Sequence, residues 1–501
     1  MGTGDKSSDM TSYIGISGPD TPKYLLANNF LAEFFASDLS GREIPYAYED
    51  FRDAKILLCE EDDEQKKKQL EQSFDCFLGK FSGDSLVSFR EKKHFYFPIK
   101  PQMLCSTNSN LRHLHYCMIP GIEDEGTFFE LQGLLYQYLY DRADGVGYLV
   151  SLLFEKYFET CMDKDSCKRD KKRKYEFDLL RAGNFSRVRK NFKEDLYKML
   201  QHPYFRNLDF YKRYDYLAVL LDFYVIQFII NKKAAAFSRG YVLCQGSSHL
   251  SGCDSYHRAC VQNYSKIRAV FQAEMKEYYL ECLRKELKDG DSILIKNSDK
   301  GIFVAAGSKR EEFIVFVRRV LNSNFKEKAA ATLYPAIRNV FALDGTKEKE
   351  YTVAEFVMYY IDVSSARKGS TLTKISSALN TSGKDIEFVF PKTRSKFKYF
   401  ALSPSLLEFL VRLYLALQDS PYAYLDNFLD FLQDKYGICI QKNARMDSML
   451  KSLHVKVPYQ EFRLNEQALI DSLDEISCLV RLSDSGYVVT LPEEKGEFAL
   501  L

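Results

Sequence analysis

Apolar residues recur along most of this chain with the three-to-four-residue spacing of helices buried on one face. After a polar stretch rich in Gly, Ser and Thr from Met1 to about Lys23, the first such pattern runs from Tyr24 to Phe35. Acidic and basic runs around Glu60 to Lys68 follow and mark a solvated helical face. Glu130 to Phe158 is a second, aromatic-rich stretch, with Leu134, Leu135, Tyr138 and Leu139 at helical spacing. Between the two, His94 to Lys100 has strand character. Pro98 confines it to a sheet edge, because proline lacks the N–H that a central ladder needs.

A polar break at Cys161 to Lys174 precedes a second helical block from Tyr175 to about Leu287. It contains Phe192 to Leu200, the strongly apolar Tyr216 to Ile230, and a long helix from about Val261 to Leu287. Asp291 to Ala306 reads as a hairpin, its apolar runs Ile293 to Ile295 and Ile302 to Ala306 flanking a turn at Asn297 to Gly301. Arg310 to Leu321 is a further helix.

The C-terminal pattern is more sharply bounded. Val353 to Ile361 and Thr371 to Leu379 read as short helices, followed by apolar strands at Ile386 to Phe390 and Phe397 to Leu402. Helix, helix, hairpin is a winged-helix order, and it then partly repeats. Ser403 and Pro404 supply an N-cap and first-turn proline for a helix bearing Leu406, Leu407, Leu410, Val411 and Tyr414. Ser420 and Pro421 are expected to do the same for a helix bearing Leu425, Phe428, Leu429 and Leu432 that stops at Gly437. Met446, Met449, Leu450 and Leu453 form a third face. Asn465 is expected to cap a fourth helix bearing Leu469, Ile470, Leu473 and Ile476, and the hairpin Cys478 to Leu482 and Tyr487 to Leu491 closes the repeat.

The fold class expected is mainly α: a multi-domain helical protein with C-terminal tandem winged-helix-like modules and short β-hairpins. The boundaries expected are a tail at 1–23, an α domain with minor β at 24–160, and a basic linker at 161–174. A helical domain with a hairpin follows at 175–345, then a first winged-helix-like module at 346–402 and a second at 403–501.

Composition narrows the function classes. Hydrophobic residues make up 46% of 501, with 38 Phe and 34 Tyr, so the chain can bury several cores. Lys and Arg number 70 against 69 Asp and Glu, which leaves no global field to steer polyanions, and any such site must be a local patch. Residues 1–23 lack the pattern of a signal peptide, and the most apolar stretch, Tyr216 to Ile230, is shorter than the roughly 20 residues a bilayer span requires. Twelve scattered cysteines do not resemble a disulfide framework. A cytoplasmic protein without membrane association is the expectation.

The local patch lies in the first winged-helix-like module. Lys392, Arg394, Lys396 and Lys398 sit on the hairpin, and Arg367, Lys368 and Lys374 precede it, a density suited to phosphate contacts on DNA. The terminal module carries Arg481 and Lys495 against Asp474, Glu475, Asp484, Glu493 and Glu494, which suits protein packing instead. A basic run from Lys168 to Lys174 is extended by Arg181, Arg187, Arg189, Lys190 and Lys193. Two Cys and His groups have metal-ligating chemistry: Cys244, His249, Cys253, His257 and Cys260, and, more loosely, Cys105, His113, His115 and Cys117. Neither has the spacing of a familiar zinc motif, so buried thiols are the expectation and no cofactor or metal is assigned.

No Walker loop, nucleophile elbow or zinc-protease helix occurs in the sequence, so no catalytic residue is named and ATP hydrolysis is not expected. Asp289, Asp291 and Lys296 are the residues that a metal-dependent nuclease would draw on, as an alternative.

In element order the chain resembles the DptG family of bacterial DNA-phosphorothioation-dependent restriction systems. The aromatic helix Tyr214 to Lys232 is followed by the Ser-rich stretch Ser247 to Tyr256, an amphipathic helix after Tyr264, and Leu-rich helices ending in Tyr436-Gly437. The resemblance covers Phe192 to Leu491. It implies a non-catalytic subunit acting with ATPase or helicase-like partners to restrict foreign DNA. The expectation is therefore a DNA-associated scaffold subunit of an anti-phage complex, with a protein-only adaptor as the alternative.

Overall fold

The computed structural model describes residues 23–35, 68, 111–140, 186–231, 240–245, 254–286, 292–298, 301–305, 348–352, 379–393, 395–482 and 486–493. The protein is mainly α-helical, with a few short strands in small sheets. It divides into two compact units, one of residues 1–19 and 268–378 and one of residues 20–267 and 379–501. The patterns at His94 to Lys100, Arg310 to Leu321 and Val353 to Ile361, and the run Lys168 to Lys174, lie outside the described residues. Among the described residues no helix is long and apolar enough to cross a membrane.

The described residues of the first unit are the later part of a long helix, residues 268–286, and a three-stranded antiparallel sheet. The helices and strands that follow are numbered in chain order, and this sheet comprises β2 (Ser292–Ser298), β3 (Gly301–Ala305) and β4 (Glu348–Thr352). The order is β3-β2-β4, so the expected hairpin acquires a third strand on its other side. Its ladder runs from Leu294↔Ala305 to Ser298↔Gly301, and Ile293 pairs with Tyr351 of β4.

The second unit contains α1 (Lys23–Phe35), α2 (Leu111–Met118), α3 (Glu125–Tyr140), α4 (Ser186–Gln201), the short α5 (Pro203–Arg206) and α6 (Phe210–Asn231). Helix α6 is buried almost all round, from Tyr214 and Tyr216 to Ile229, as an apolar helix at the centre of a large core must be. Polar side chains rivet its neighbours to it and to each other. Tyr138 Oη donates to Arg213 O at 3.1 Å, Gln132 Nε2 donates to Phe34 O at 2.7 Å, and His115 Nε2 lies 2.7 Å from Leu221 O.

The C-terminal elements pack onto this core. They are α8 (Pro404–Gln418), β7 (Tyr422–Tyr424), α9 (Leu425–Tyr436), β8 (Ile438–Cys439), α10 (Ala444–Ser452), α11 (Tyr459–Glu475), β9 (Leu479–Arg481) and β10 (Tyr487–Thr490). Ser403 caps α8 as expected, its Oγ accepting from Leu406 N at 3.3 Å. Within α8, the buried Arg412 donates to Tyr204 O at 2.8 Å and to Glu493 at 2.5 Å. Glu493, one of the acids that mark the terminal module, is thereby turned to packing.

Two local expectations are corrected. Ser420 and Pro421 do not open a helix. Ser420 Oγ bonds the backbone of Tyr422, residues 422–424 pair with β10, and α9 begins only at Leu425, with Gly437 ending it at φ 74° as anticipated. Asn465 is not a cap either, because α11 starts at Tyr459 and Asn465 lies buried within it. Its Oδ1 accepts from Gln245 N at 2.7 Å and its Nδ2 donates to Tyr256 Oη at 3.2 Å.

These contacts show how distant sequence enters the C-terminal region. Strand β1 (Tyr241–Val242) pairs in parallel with β8, and Leu243 bridges to Phe400. Gln245 then clamps Leu402, its Nε2 donating to Leu402 O at 2.6 Å and its Oε1 accepting from Leu402 N at 3.0 Å. Helix α7 (Asp254–Glu286) follows, and Glu461 accepts from Tyr256 N in its first turn at 2.7 Å.

Candidate nucleic-acid interface

The hairpin bearing the predicted cations is built from β5 (Val389–Phe390) and β6 (Tyr399–Phe400), paired antiparallel with Val389↔Phe400 and Phe390↔Tyr399. A helical segment at 379–385 leads into it and turns tightly. Phe388 N donates to Gly383 O, and a Cβ on Gly383 would come within 2.3 Å of Val389 Cγ2, so only glycine fits there.

The base of the hairpin is clamped by aromatic rings. Phe388 and Phe400 lie 5.1 Å apart, and Tyr241 meets them at 5.2 and 4.9 Å in edge-to-face contacts, while Tyr264 reaches Phe400 at 5.2 Å. Such pairs add about 0.5–1.5 kcal/mol each beyond the area they bury. The strands are short, but their base is fixed in the core.

The connecting loop uses its cations unequally. Lys398 is only 6% exposed, and its ammonium donates to Thr393 O at 2.6 Å and to Pro391 O, which draws both sides of the loop together. Burial, and secondarily the nearby Lys384 charge, lowers its pKa. Lys392 pairs with Glu387, a residue held at φ 57° where the helix turns into β5. Lys396 is exposed. Arg394, Arg367, Lys368 and Lys374 lie outside the described residues. Two features are not evident from charge pattern alone: the inward role of Lys398, and Phe397, which is 69% exposed beside Lys396.

The first Cys and His group is brought together only in part. Cys244 Sγ lies 3.5 Å from His257 Nδ1, and that contact, opposed by burial and supported by Asp254, raises the His257 pKa. Cys244 and Cys260 belong to an apolar cluster with Val242, Tyr256, Cys439, Met446, Met449 and Phe462. His249 and Cys253 lie outside the described residues, as do Cys105, Asp289 and Asp291. Among the described residues no three His, Cys, Asp or Glu side chains gather as a metal would require. Cys117, Cys244, Cys260, Cys439 and Cys478 are buried thiols, and burial pushes Cys439 up to about 11.

The basic face of α4 is largely taken up by docking. Arg187 donates to Asp434 O at 2.5 Å, Arg189 to Met118 O at 3.4 Å and Lys193 to Pro120 O at 3.2 Å. Arg189 and Lys193, together with Lys190 and Tyr197, line an open cleft of about 580 Å³.

The class these features define is a mainly helical protein carrying a compact basic hairpin on an aromatic base. Residues 253–490, just under half of the chain, match the family model described as Methylation-associated defense system protein MAD7. That stretch, which contains the hairpin, is therefore similar to a defence-system component. The agreement with the DptG resemblance is at the level of defence systems, since the matched family is named for methylation and not for phosphorothioation. No curated protein matches the chain, and no solved structure matches it.

Proposed function

We propose that this chain is a non-catalytic, DNA-associated scaffold subunit of a bacterial anti-phage defence complex in the cytoplasm. In this reading the β5–β6 hairpin contacts the nucleic-acid backbone and the helical faces hold partner subunits, an ATPase or helicase-like protein among them. The observation that carries it is the match of residues 253–490 to a methylation-associated defence protein. That match favours methylation over phosphorothioation as the DNA mark concerned. The basic loop supplies the phosphate chemistry through Lys392, Arg394 and Lys396, while Lys398 closes the loop from inside. The lack of a Walker loop in the sequence leaves nucleotide hydrolysis to a partner.

Duplex binding measured between roughly 50 and 200 mM salt tests this. Joint replacement of Lys392, Arg394 and Lys396 by Ala should flatten the dependence of log K on log salt by about 0.9 for each phosphate that is no longer neutralised. Lys398→Met should also weaken binding, through the loop it closes, and should speed amide exchange at residues 391–398. Equal affinity of wild type and the triple variant would remove the hairpin from the interface. The protein-only adaptor reading has one observation in its favour: β7, an edge strand among the described residues, exposes Tyr422 and Tyr424 side by side. Under that reading the purified chain ignores DNA and co-purifies with neighbouring subunits.

A further inference from the structure

We propose that Phe397 is a base-stacking residue, and that the ligand of the hairpin is a nucleic acid offering an unpaired or unstacked base. The proposal rests on the DNA-associated reading above and deepens it. Phe397 is 69% exposed, more than any other large hydrophobic side chain among the described residues. Exposed phenylalanine adds nothing to the core beneath it, whereas the other rings of the hairpin, Phe388, Phe390, Tyr399 and Phe400, all make ring contacts.

The loop that holds Phe397 out is braced from within. Lys398 ties Pro391 O and Thr393 O together, and Ser395 Oγ accepts from Phe397 N at 3.0 Å. A buried ammonium is a costly way to close a loop, and here it fixes the backbone on both sides of one exposed ring. An aromatic presented in this way loses little conformational freedom when it stacks on a ligand.

The chemistry around the ring favours a base over a protein partner. Residues 391–400 contain Lys392, Arg394, Lys396 and Lys398 and no acid; Lys398 is turned inward and Lys392 pairs with Glu387, while Lys396 is exposed beside the ring. Every base has a π-face, so cations on the phosphates and one aromatic on a base form the usual combination for holding an opened strand. In a closed duplex a protruding ring gains a face only by prising a base step apart, at a cost in stacking energy, whereas a bulge, a mismatch, a gap or a single-stranded junction offers a face already open.

The test uses the full chain and an oligonucleotide duplex carrying one bulged 2-aminopurine, next to the fully paired duplex of the same sequence. Wild type should bind the bulged probe more tightly and quench its fluorescence. Phe397→Ala should bind the bulged probe about 5- to 150-fold more weakly, the range that loss of one base–aromatic stack produces, with little change on the paired duplex. Phe397→Tyr should restore binding and quenching. Because the ring is exposed, the melting temperature of Phe397→Ala should match wild type. If Phe397→Ala binds the bulged probe as wild type does while Lys396→Ala weakens it, the hairpin touches DNA without stacking and the inference fails. If wild type binds neither probe, the DNA-associated reading itself fails and Phe397 belongs to a protein contact.

Discussion

Replacing Asp195 with asparagine removes a carboxyl group on which three helices converge; burial raises its pKa, and the Lys435 ammonium and the two tyrosine hydroxyls oppose that rise. The carboxylate is fully buried on α4. Its Oδ2 accepts from Tyr224 Oη of α6 at 2.6 Å and from Tyr436 Oη of α9 at 2.7 Å, and its Oδ1 lies 2.6 Å from Lys435 Nζ. Burial, and next the Asp195 charge, push both tyrosine pKa values well up, so the two phenols remain protonated donors. Asparagine keeps one acceptor but turns an N–H₂ group toward a phenol or the ammonium, leaving donors facing donors and Lys435 unpaired on that side. Removing one partner of a buried, hydrogen-bonded ion pair costs about 3–5 kcal/mol. With an unfolding entropy of about 2.1 cal/mol/K per residue over the roughly 370 residues of the second unit, that is about 4–6 °C in melting temperature. Tyr224→Phe removes one bond to a charged acceptor, about 1.5–3 kcal/mol or about 2–4 °C. Glu194→Gln is the control. This carboxylate is 2.8 Å from the same Lys435 Nζ but half exposed, so its loss should cost under about 1 kcal/mol. Thermal unfolding followed by near- and far-ultraviolet circular dichroism would report all three. An Asp195→Asn protein melting within about 1 °C of wild type, or no lower than Glu194→Gln, would refute the view that this node joins the helices.

The internal role of Asn465 predicts that Asn465→Leu loses about 1–3 kcal/mol in urea denaturation, because the Gln245 N–H is orphaned. Asn465→Asp, harmless at a helix cap, keeps the acceptor but buries a charge and should be comparably destabilised; a neutral effect would refute the buried role. For His257, Cys244 first and Asp254 after it raise the folded pKa above the ordinary 6.5, against burial. Stabilisation by His257 should therefore be complete below pH 6.5 and disappear as pH rises through the higher folded value. The melting difference between wild type and His257→Gln should be widest near pH 6 and close toward pH 9; a gap that widens with pH would reverse the sign and sink the assignment.

Much of the helical framework was legible because it rests on local rules. The periodicity of Tyr24 to Phe35 and the apolar run at Tyr216 to Ile230 gave helices where they occur, and Ser403-Pro404 and Gly437 marked ends through cap chemistry contained within a few residues. The hairpin at Ile293 to Ala305 followed from two apolar runs and a turn between them. The same logic placed the apolar strands around the basic loop, although only Val389–Phe390 and Tyr399–Phe400 form the ladder.

What a side chain does was decided by tertiary structure. Lys398 and Lys396 are equivalent in a count of cations, yet one closes the loop from inside and the other faces solvent, because the fold brings the Pro391 and Thr393 carbonyls within reach of the Lys398 ammonium. Asn465 looked like a cap because asparagine favours caps, but Gln245, some 220 positions earlier, needs its oxygen. Pro421 looked like a helix start until β10 pairing drew residues 422–424 into a sheet. Cys244 and Cys260 shared the chemistry of a metal site, and packing among Val242, Met446 and Met449 made them part of a core. Spacing and composition determine which elements form, since those depend on neighbours along the chain. The partners of polar groups and the exposure of Phe397 depend on which distant backbone arrives beside them, and only the folded chain specifies that.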